Sequence, residues 1–231
     1  MGVFHLAFYN KPQLLHMLIK ALLISSFLLV GIGLSAQKER HSHGVWLKLN
    51  LSSLLDPGAP GIQTGLEYRI NNHCAIETNY GIPYYIGHDE LNRDSNFHKN
   101  YKIKSEIKLF YGHQSVGYFA IEFFYTHLHY NSFNHYYFDN TGSYYYKDAQ
   151  YWKSIFGSGF KIGFNIPIAH RISIDIFSNA GIRLVDTKVS SSSTVPSPVP
   201  STHWFSAAEQ VGNKVTPHIA FGIKFGYWLF K

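Results

Sequence analysis

The stretch His218-Ile219-Ala220-Phe221-Gly222-Ile223-Lys224-Phe225-Gly226-Tyr227-Trp228-Leu229-Phe230 decides the fold. Every odd position from Ile219 to Leu229 is large and apolar. Ala220, Gly222, Lys224 and Gly226 stand between them. A period of two, with one greasy face and one small or charged face, is a β-strand pattern. The strand runs to the last residue but one and ends in aromatics. The rest of the chain either repeats this segregation or does not.

It repeats it seven times. Val45, Leu47, Leu49 and Leu51 alternate with Trp46, Lys48 and Asn50. Ile62, Thr64, Leu66, Tyr68 and Ile70 oppose Gln63, Gly65, Glu67 and Arg69. Ile76, Thr78, Tyr80 and Ile82 oppose Ala75, Glu77, Asn79 and Gly81. Tyr101, Ile103, Ile107, Leu109 and Tyr111 oppose Lys102, Lys104, Glu106 and Lys108. Phe119, Ile121, Phe123 and Tyr125 oppose Ala120, Glu122, Phe124 and Thr126. Trp152, Phe156, Phe160, Ile162 and Phe164 oppose Lys153, Gly157, Gly159, Lys161 and Gly163. Ile172, Ile174, Ile176, Ile182 and Leu184 oppose Ser173, Asp175, Asn179, Gly181 and Arg183. The strands are separated by turn-rich segments at 54–60, 71–73, 112–115 and 167–170 and by longer polar loops expected at 83–98, 130–147 and 186–214. Short and long connections thus alternate, as in membrane barrels with short periplasmic turns and longer outer loops. The longest loop contains Ser190-Ser-Ser-Ser-Thr-Val-Pro-Ser-Pro-Val-Pro-Ser201, a low-complexity run.

Alternation alone does not say which face is outside. A soluble lipocalin-like barrel buries the apolar face and a membrane barrel exposes it. Three observations favour the second. The apolar faces carry no Asp, Glu, Lys or Arg, whereas the opposite faces carry fifteen, with Arg171 counted among them. A Lys or Arg facing lipid at mid-depth costs about 2–4 kcal/mol, which accounts for the exclusion. The apolar face is mostly Phe, Tyr, Ile and Leu, too much volume for the narrow interior of eight strands. The polar face carries Gly65, Gly81, Gly157, Gly159, Gly163, Gly181, Gly222 and Gly226. Small residues suit a crowded lumen that also holds long charged chains, and on a solvated sheet they would only weaken it.

Composition agrees. The chain has 231 residues, 15% charged and 17% aromatic, with mean hydropathy −0.11. That excludes a polytopic helical membrane protein but not a barrel, half of whose strand residues are polar. A single cysteine, Cys74, excludes an internal disulfide and a multi-cysteine metal site. Near the N-terminus, Met17-Leu-Ile-Lys20 precedes a short apolar run ending at Leu34-Ser35-Ala36. A basic start, an apolar run shorter than a spanning helix and a final small residue predict a secretory signal peptide over 1–36, with Met17 as its true start or Met1 opening a long basic lead. Residues 37–43 form a polar lead, and 44–231 the barrel. Removing residues 1–36, which contain Lys11 and Lys20 and no acid, leaves 18 basic and 14 acidic side chains. So mild an excess, without a basic run, does not point to nucleic acid.

With these features the chain resembles the small eight-stranded outer-membrane β-barrel proteins of Gram-negative bacteria, of the OmpA/OmpX-like architecture. The signal peptide ending Leu34-Ser-Ala36, the alternating strands, the opening segment Leu47 to Pro57 followed by Gly65-Leu-Glu-Tyr-Arg69, and the final strand through Phe230 carry the resemblance. The expected fold class is all-β: an eight-stranded antiparallel transmembrane β-barrel preceded by a cleaved signal peptide. The expected location is the outer membrane, and the expected partners are its lipid, the barrel-assembly machinery that recognises an aromatic C-terminal strand, and an extracellular ligand met through the loops. Lys231 after Phe230 departs from a terminal aromatic.

The chemistry-bearing residues are then assigned by face. Lys48, Glu67, Glu77, Lys104, Glu106, Lys108, Glu122, Lys161, Asp175 and Lys224 are expected to form a lumen charge network. Leu47, Leu49, Ile107, Phe123, Phe160, Ile174, Phe221 and Phe225 are expected to face lipid. Eight strands leave an interior just wide enough for side chains, so a closed lumen is expected rather than a large pore. Ser178-Asn-Ala-Gly-Ile182 resembles the serine segment of outer-membrane lipid A deacylases, but the histidine that family carries two residues earlier is replaced here by Ile176. An apolar side chain cannot take the serine proton, so no catalytic residue is assigned. His127 and His129 share a strand face, a spacing compatible with metal, as do His41 and His43, with His135 further on. No acid or cysteine accompanies them at matching spacing, and no metal or cofactor is assigned. The aromatic segment Tyr136 to Tyr146, with Tyr151 and Trp152, reads as an interfacial girdle or a binding loop. The expected role is therefore structural or in surface interaction. A small transport or lipid-modifying barrel, and a soluble periplasmic lipid-binding barrel with reversed faces, are the alternatives.

Overall fold

The structure is a computed structural model, and it describes residues 43–55, 61–83, 100–111, 116–139, 142–191, 194–196 and 209–230. All of them fall in one compact unit, Arg40–Lys231. The signal-peptide segment 1–36, His41, most of the 54–60 turn, the 83–98 loop from residue 84, and the 112–115 turn lie outside the described residues. Among the described residues no helix is long and apolar enough to cross a membrane.

The strands are β1 (Gly44–Asn50), β2 (Gly61–Arg69), β3 (Cys74–Pro83), β4 (Tyr101–Tyr111), β5 (Gly117–Phe138), β6 (Ser143–Ala169), β7 (Ile172–Ser191), β8 (Thr194–Pro196), β9 (Glu209–Gln210) and β10 (Gly212–Phe230), with a 3₁₀ turn, η1, at Leu51–Leu55. They form one sheet. β1 to β7 pair in sequence order, β7 pairs with β10, and β10 pairs with β1. The hydrogen bonding thus returns to its start, and the antiparallel sheet closes into a ring compatible with a β-barrel. The final strand meets the first with Leu47 opposite Tyr227, Leu49 opposite Phe225 and Asn50 opposite Lys224. A bulge lies between Val45 and Trp46.

One end of the ring carries tight connections. At the β2–β3 turn the Asn71 side chain accepts hydrogen bonds from the backbone N–H groups of His73 (2.7 Å) and Cys74 (2.8 Å), the turn chemistry expected of asparagine. β6 and β7 are joined through His170 and Arg171 alone. Arg171 lies exposed in this turn with its guanidinium 5.7 Å from the Trp228 ring, and not on the inward face where its position in the pattern put it. β6 itself continues to Ala169, two residues beyond the expected turn start.

The other end corrects two loop expectations. Residues 130–138 and 143–147 are strand: β5 and β6 stay paired from Gly117–Phe164 out to Phe138–Ser143. Just beyond the last pair, the Asp139 N–H donates to the Gly142 carbonyl (2.9 Å) and the Gly142 N–H to Asp139 Oδ1 (3.1 Å). Polar, Asn-bearing composition suggests a loop, but Tyr and Phe are strong strand formers when they meet across a ladder. Tyr130 stacks on Tyr151 at 5.2 Å and Tyr137 on Tyr144 at 5.3 Å. Asn134, at φ 52°, takes the one left-handed non-glycine conformation among the described residues and breaks the pairing between Phe133 and His135. The loop expected over 186–214 is also partly strand. β7 runs to Ser191, β8 adds to the edge of β6, β9 adds in parallel to β5 at Tyr137–Phe138, and β10 begins at Gly212. β5, β6, β7 and β10 therefore rise well beyond β1, β2, β3 and β4.

Candidate functional site

The burial pattern is inverted relative to a water-soluble sheet. On β2 it alternates strictly, with Gln63, Gly65, Glu67 and Arg69 buried and Ile62, Thr64, Leu66 and Tyr68 exposed. The same holds on β3 and β4. Across the ring Phe160 is 74% exposed and the adjacent Lys161 only 1%. Of the residues expected on the outer face, Leu47, Leu49, Ile107, Phe123, Phe160, Phe221 and Phe225 are exposed, and Ile174 is half-buried. Ile121 is exposed with them. Inside lie all ten of the charged residues expected there, five lysines and five acids, each buried.

Register explains why they meet. Glu67 stands opposite Glu77, Glu77 opposite Glu106, and Glu106 opposite Glu122. Four like charges on adjacent strands at one level repel unless cations come between them. The lysines come mainly from elsewhere in the ring. Lys108 Nζ lies 2.7 Å from Glu67, 2.6 Å from Glu77 and 2.8 Å from Asp175. Lys161 donates to Glu106 and, at 2.6 Å, to Glu122. Lys224 bridges Glu77 and Glu106. Lys48 lies 3.3 Å from Glu67, and Lys104 3.9 Å from Glu122. Arg69 Nε adds a bond to Glu67 at 3.1 Å. Buried ions persist only when paired and hydrogen-bonded in this way. Neutral donors finish the shell: Tyr118 Oη donates a hydrogen bond to Asp175 (2.7 Å), Asn179 Nδ2 to Glu122 (2.8 Å) and Asn79 Nδ2 to Glu77 (2.8 Å).

Aromatic rings floor and roof this charged layer. Toward the tight-turn end, Tyr118 lies 4.7 Å from Lys108 Nζ, and Arg69 sits over Phe110 at 4.4 Å and Trp46 at 5.6 Å. Toward the tall end, Phe177 lies 4.3 Å from Lys161 and 5.2 Å from Lys224. Cations over ring faces gain from the ring quadrupole and lose less on leaving water. The alternation places Trp46 and Phe124 on the inward face, but sequence reasoning assigns none of Phe110, Tyr118 and Phe177. Their signal was present in the glycines: Tyr118 is registered against Gly163, Phe124 against Gly157 and Phe177 against Gly222. A Cβ on Gly157 would come 2.2 Å from the Phe124 ring, and one on Gly163 2.5 Å from Tyr118. The glycines make the space that the rings fill.

The geometry also bears on the other candidates. Glu67, Glu77 and Asp175 bring three carboxylates together as a metal site would. The Lys108 ammonium reaches all three, so the cation in this cluster is a side chain. Ser178 lies exposed on the outer face, opposite Phe221 and Ile162 in register, so neither neighbouring strand supplies the base that Ile176 lacks. His127 packs beside Tyr101 at 5.5 Å, while the buried His129 stacks on Trp152 at 5.2 Å. Each packs against its own aromatic partner. No protein-family model, curated protein or solved structure matches the chain.

Proposed function

We propose that the chain is an integral outer-membrane β-barrel of a Gram-negative bacterium, exported by a signal peptide over 1–36, with a closed charge-filled lumen and a structural or surface-interaction role. The observation that carries this reading is the inverted burial: a belt of Phe, Ile, Leu and Tyr outside and paired charges inside. Water-soluble monomers rarely expose a contiguous apolar patch above a few hundred Å², whereas a lipid-facing band about 25 Å tall encircles membrane barrels. About nine tilted strand residues span such a band, close to the apolar run from Ile219 to Leu229. A soluble lipid-binding barrel would need the opposite sidedness.

The closed lumen is supported by Lys48, Lys108, Glu67, Glu77 and Asp175, each 0% exposed, which leaves no water-sized space beside them. The surface role falls to the tall extension of β5, β6, β7 and β10, with its stacked tyrosines. The chain is read as non-enzymatic, without a cofactor. Outer-membrane fractionation and heat-modifiable gel mobility test the proposal. A protein that stays soluble after detergent-free lysis refutes it. Bilayer conductance above leak level refutes the closed lumen. Lipid A losing an acyl chain only in the presence of this protein refutes the non-enzymatic role.

A further inference from the structure

The charged layer is sealed, but among the described residues the strand pairing of the wall above it is incomplete. β1 stops at Asn50, opposite Lys224, while β10 continues to Gly212. From Ile223 to Gly212, β10 is paired with β7 on one side and, among the described residues, with no strand on the other. η1 follows at this point, tied by Ser53 Oγ, which lies 2.7 Å from the Asn50 carbonyl and 2.6 Å from the Gly61 carbonyl and donates its one proton to either. A cavity of about 350 Å³ lies between η1 and the β10 edge, at the small end of the range for ligand sites.

Its lining has two characters. The inward side presents Lys104, Arg183 and His218 above the Phe177 ring. The lip is apolar: Ile219 and Phe221, on the outer face, are 70% and 68% exposed. The basic groups are only partly satisfied. Lys104 lies 3.9 Å from Glu122, whose carboxylate already accepts from Lys161 at 2.6 Å and Asn179 at 2.8 Å. Arg183 Nε donates to the neutral Thr216 hydroxyl at 2.8 Å. The His218 ring packs at a tilt against Phe124 at 4.7 Å, and its buried Nε2 has no hydrogen-bond partner among the described residues. Among the described residues the cavity is therefore lined by two cationic side chains, Lys104 and Arg183, beside the His218 imidazole, with no acid in its lining and an exit onto the apolar outer face.

We propose that this cavity binds an amphiphile with an anionic head group. Lys104, Arg183 and His218 hold the head, and the alkyl chain leaves past Pro217 along Ile219 and Phe221. An anion there meets charge-assisted donors in a partly buried setting, where such bonds are strong. A cationic or neutral head leaves the same donors unanswered. The sideways exit rests on the membrane reading, but head-group selectivity does not, so a soluble protein that still selects anions would fail the first and keep the second.

The test uses the full mature chain in dodecyl maltoside, with 11-(dansylamino)undecanoate as a fluorescent probe. Dodecanoate is expected to displace it, and dodecan-1-ol and dodecyltrimethylammonium to compete at least tenfold more weakly. Loss of one charge-assisted contact in Arg183→Gln is expected to weaken binding about tenfold or more. Ala220→Phe, which fills the cavity without touching the charges, is expected to abolish it. Heat-modifiable mobility verifies that each variant is folded, and the ligand series on the wild-type chain stands without the variants. A free single-chain acid and an anionic lipid share this head-group chemistry. Displacement by dodecanoate but not by nanodiscs containing phosphatidylglycerol assigns the free acid. Displacement by those nanodiscs, and not by phosphatidylcholine nanodiscs, assigns the lipid. Equal displacement by the alcohol, by neither anionic source, or equal binding by folded Ala220→Phe overturns the proposal.

Discussion

Lys108 is the residue whose loss is felt most. Its ammonium contacts Glu67, Glu77 and Asp175 within 2.8 Å, and all four groups are fully buried. Lys108→Met keeps most of the volume and removes the charge. The ten-residue layer then holds five carboxylates and four lysines, with the Glu67–Glu77 rung left to Lys48, Arg69 and Lys224. Breaking a buried ion pair from one side costs about 3–5 kcal/mol, because the partner is left buried and uncompensated. We expect that loss in denaturant unfolding from detergent or lipid vesicles, followed by gel mobility and circular dichroism. Asp175→Asn added to Lys108→Met restores four charges of each sign and leaves Tyr118 an acceptor at position 175. The double variant is expected to recover at least half the loss, a coupling expected only of contacting residues. Lys188→Met is the control: its partner Asp186 lies 3.9 Å away and Lys188 is 76% exposed, so the change stays within about 0.5 kcal/mol. A Lys108→Met loss below about 1 kcal/mol, or a double variant no better than the single, would refute the claim that this layer is a balanced network.

Further outcomes follow from the same geometry. Gly157→Val drives a side chain into the Phe124 ring and is expected to cost about 1–3 kcal/mol, partly relieved by Phe124→Leu. Absence of relief would mean that the glycine serves the backbone and not the ring. Replacing residues 132–149 by Asn-Gly is expected to leave heat-modifiable mobility and urea resistance of the ring intact, since that part of β5 and β6 pairs chiefly with itself. A collapse of the ring would show that the hairpin is structural. Planar-bilayer recordings of the wild-type chain are expected to stay at leak level, and stepwise openings would contradict the packed interior.

Much of this was legible in the chain because period-two segregation is a local signal. Lys161 beside Phe160, or Lys224 between Ile223 and Phe225, declares its face from immediate neighbours. The partners of those lysines were not legible. That Lys224 reaches Glu77 and Glu106 depends on the register of strands more than a hundred residues apart. The inward aromatics Tyr118 and Phe177 were missed because they interrupt a polar face, and only pairing shows the glycines they cover. Tyr, Asn and His together make 130–147 look like a polar loop, while its stacked tyrosine pairs exist only once β5 and β6 are aligned. Arg171 followed the alternation on paper but sits where the β6–β7 turn has ended it.

The sidedness of the ring is the central claim, and lipid-soluble photolabelling of the protein in outer-membrane vesicles tests it most directly. The account predicts label at Phe160, Ile174 and Phe221 and none at Lys161 or Lys224. Label on the lysine face, with the phenylalanine face unmarked, would contradict it.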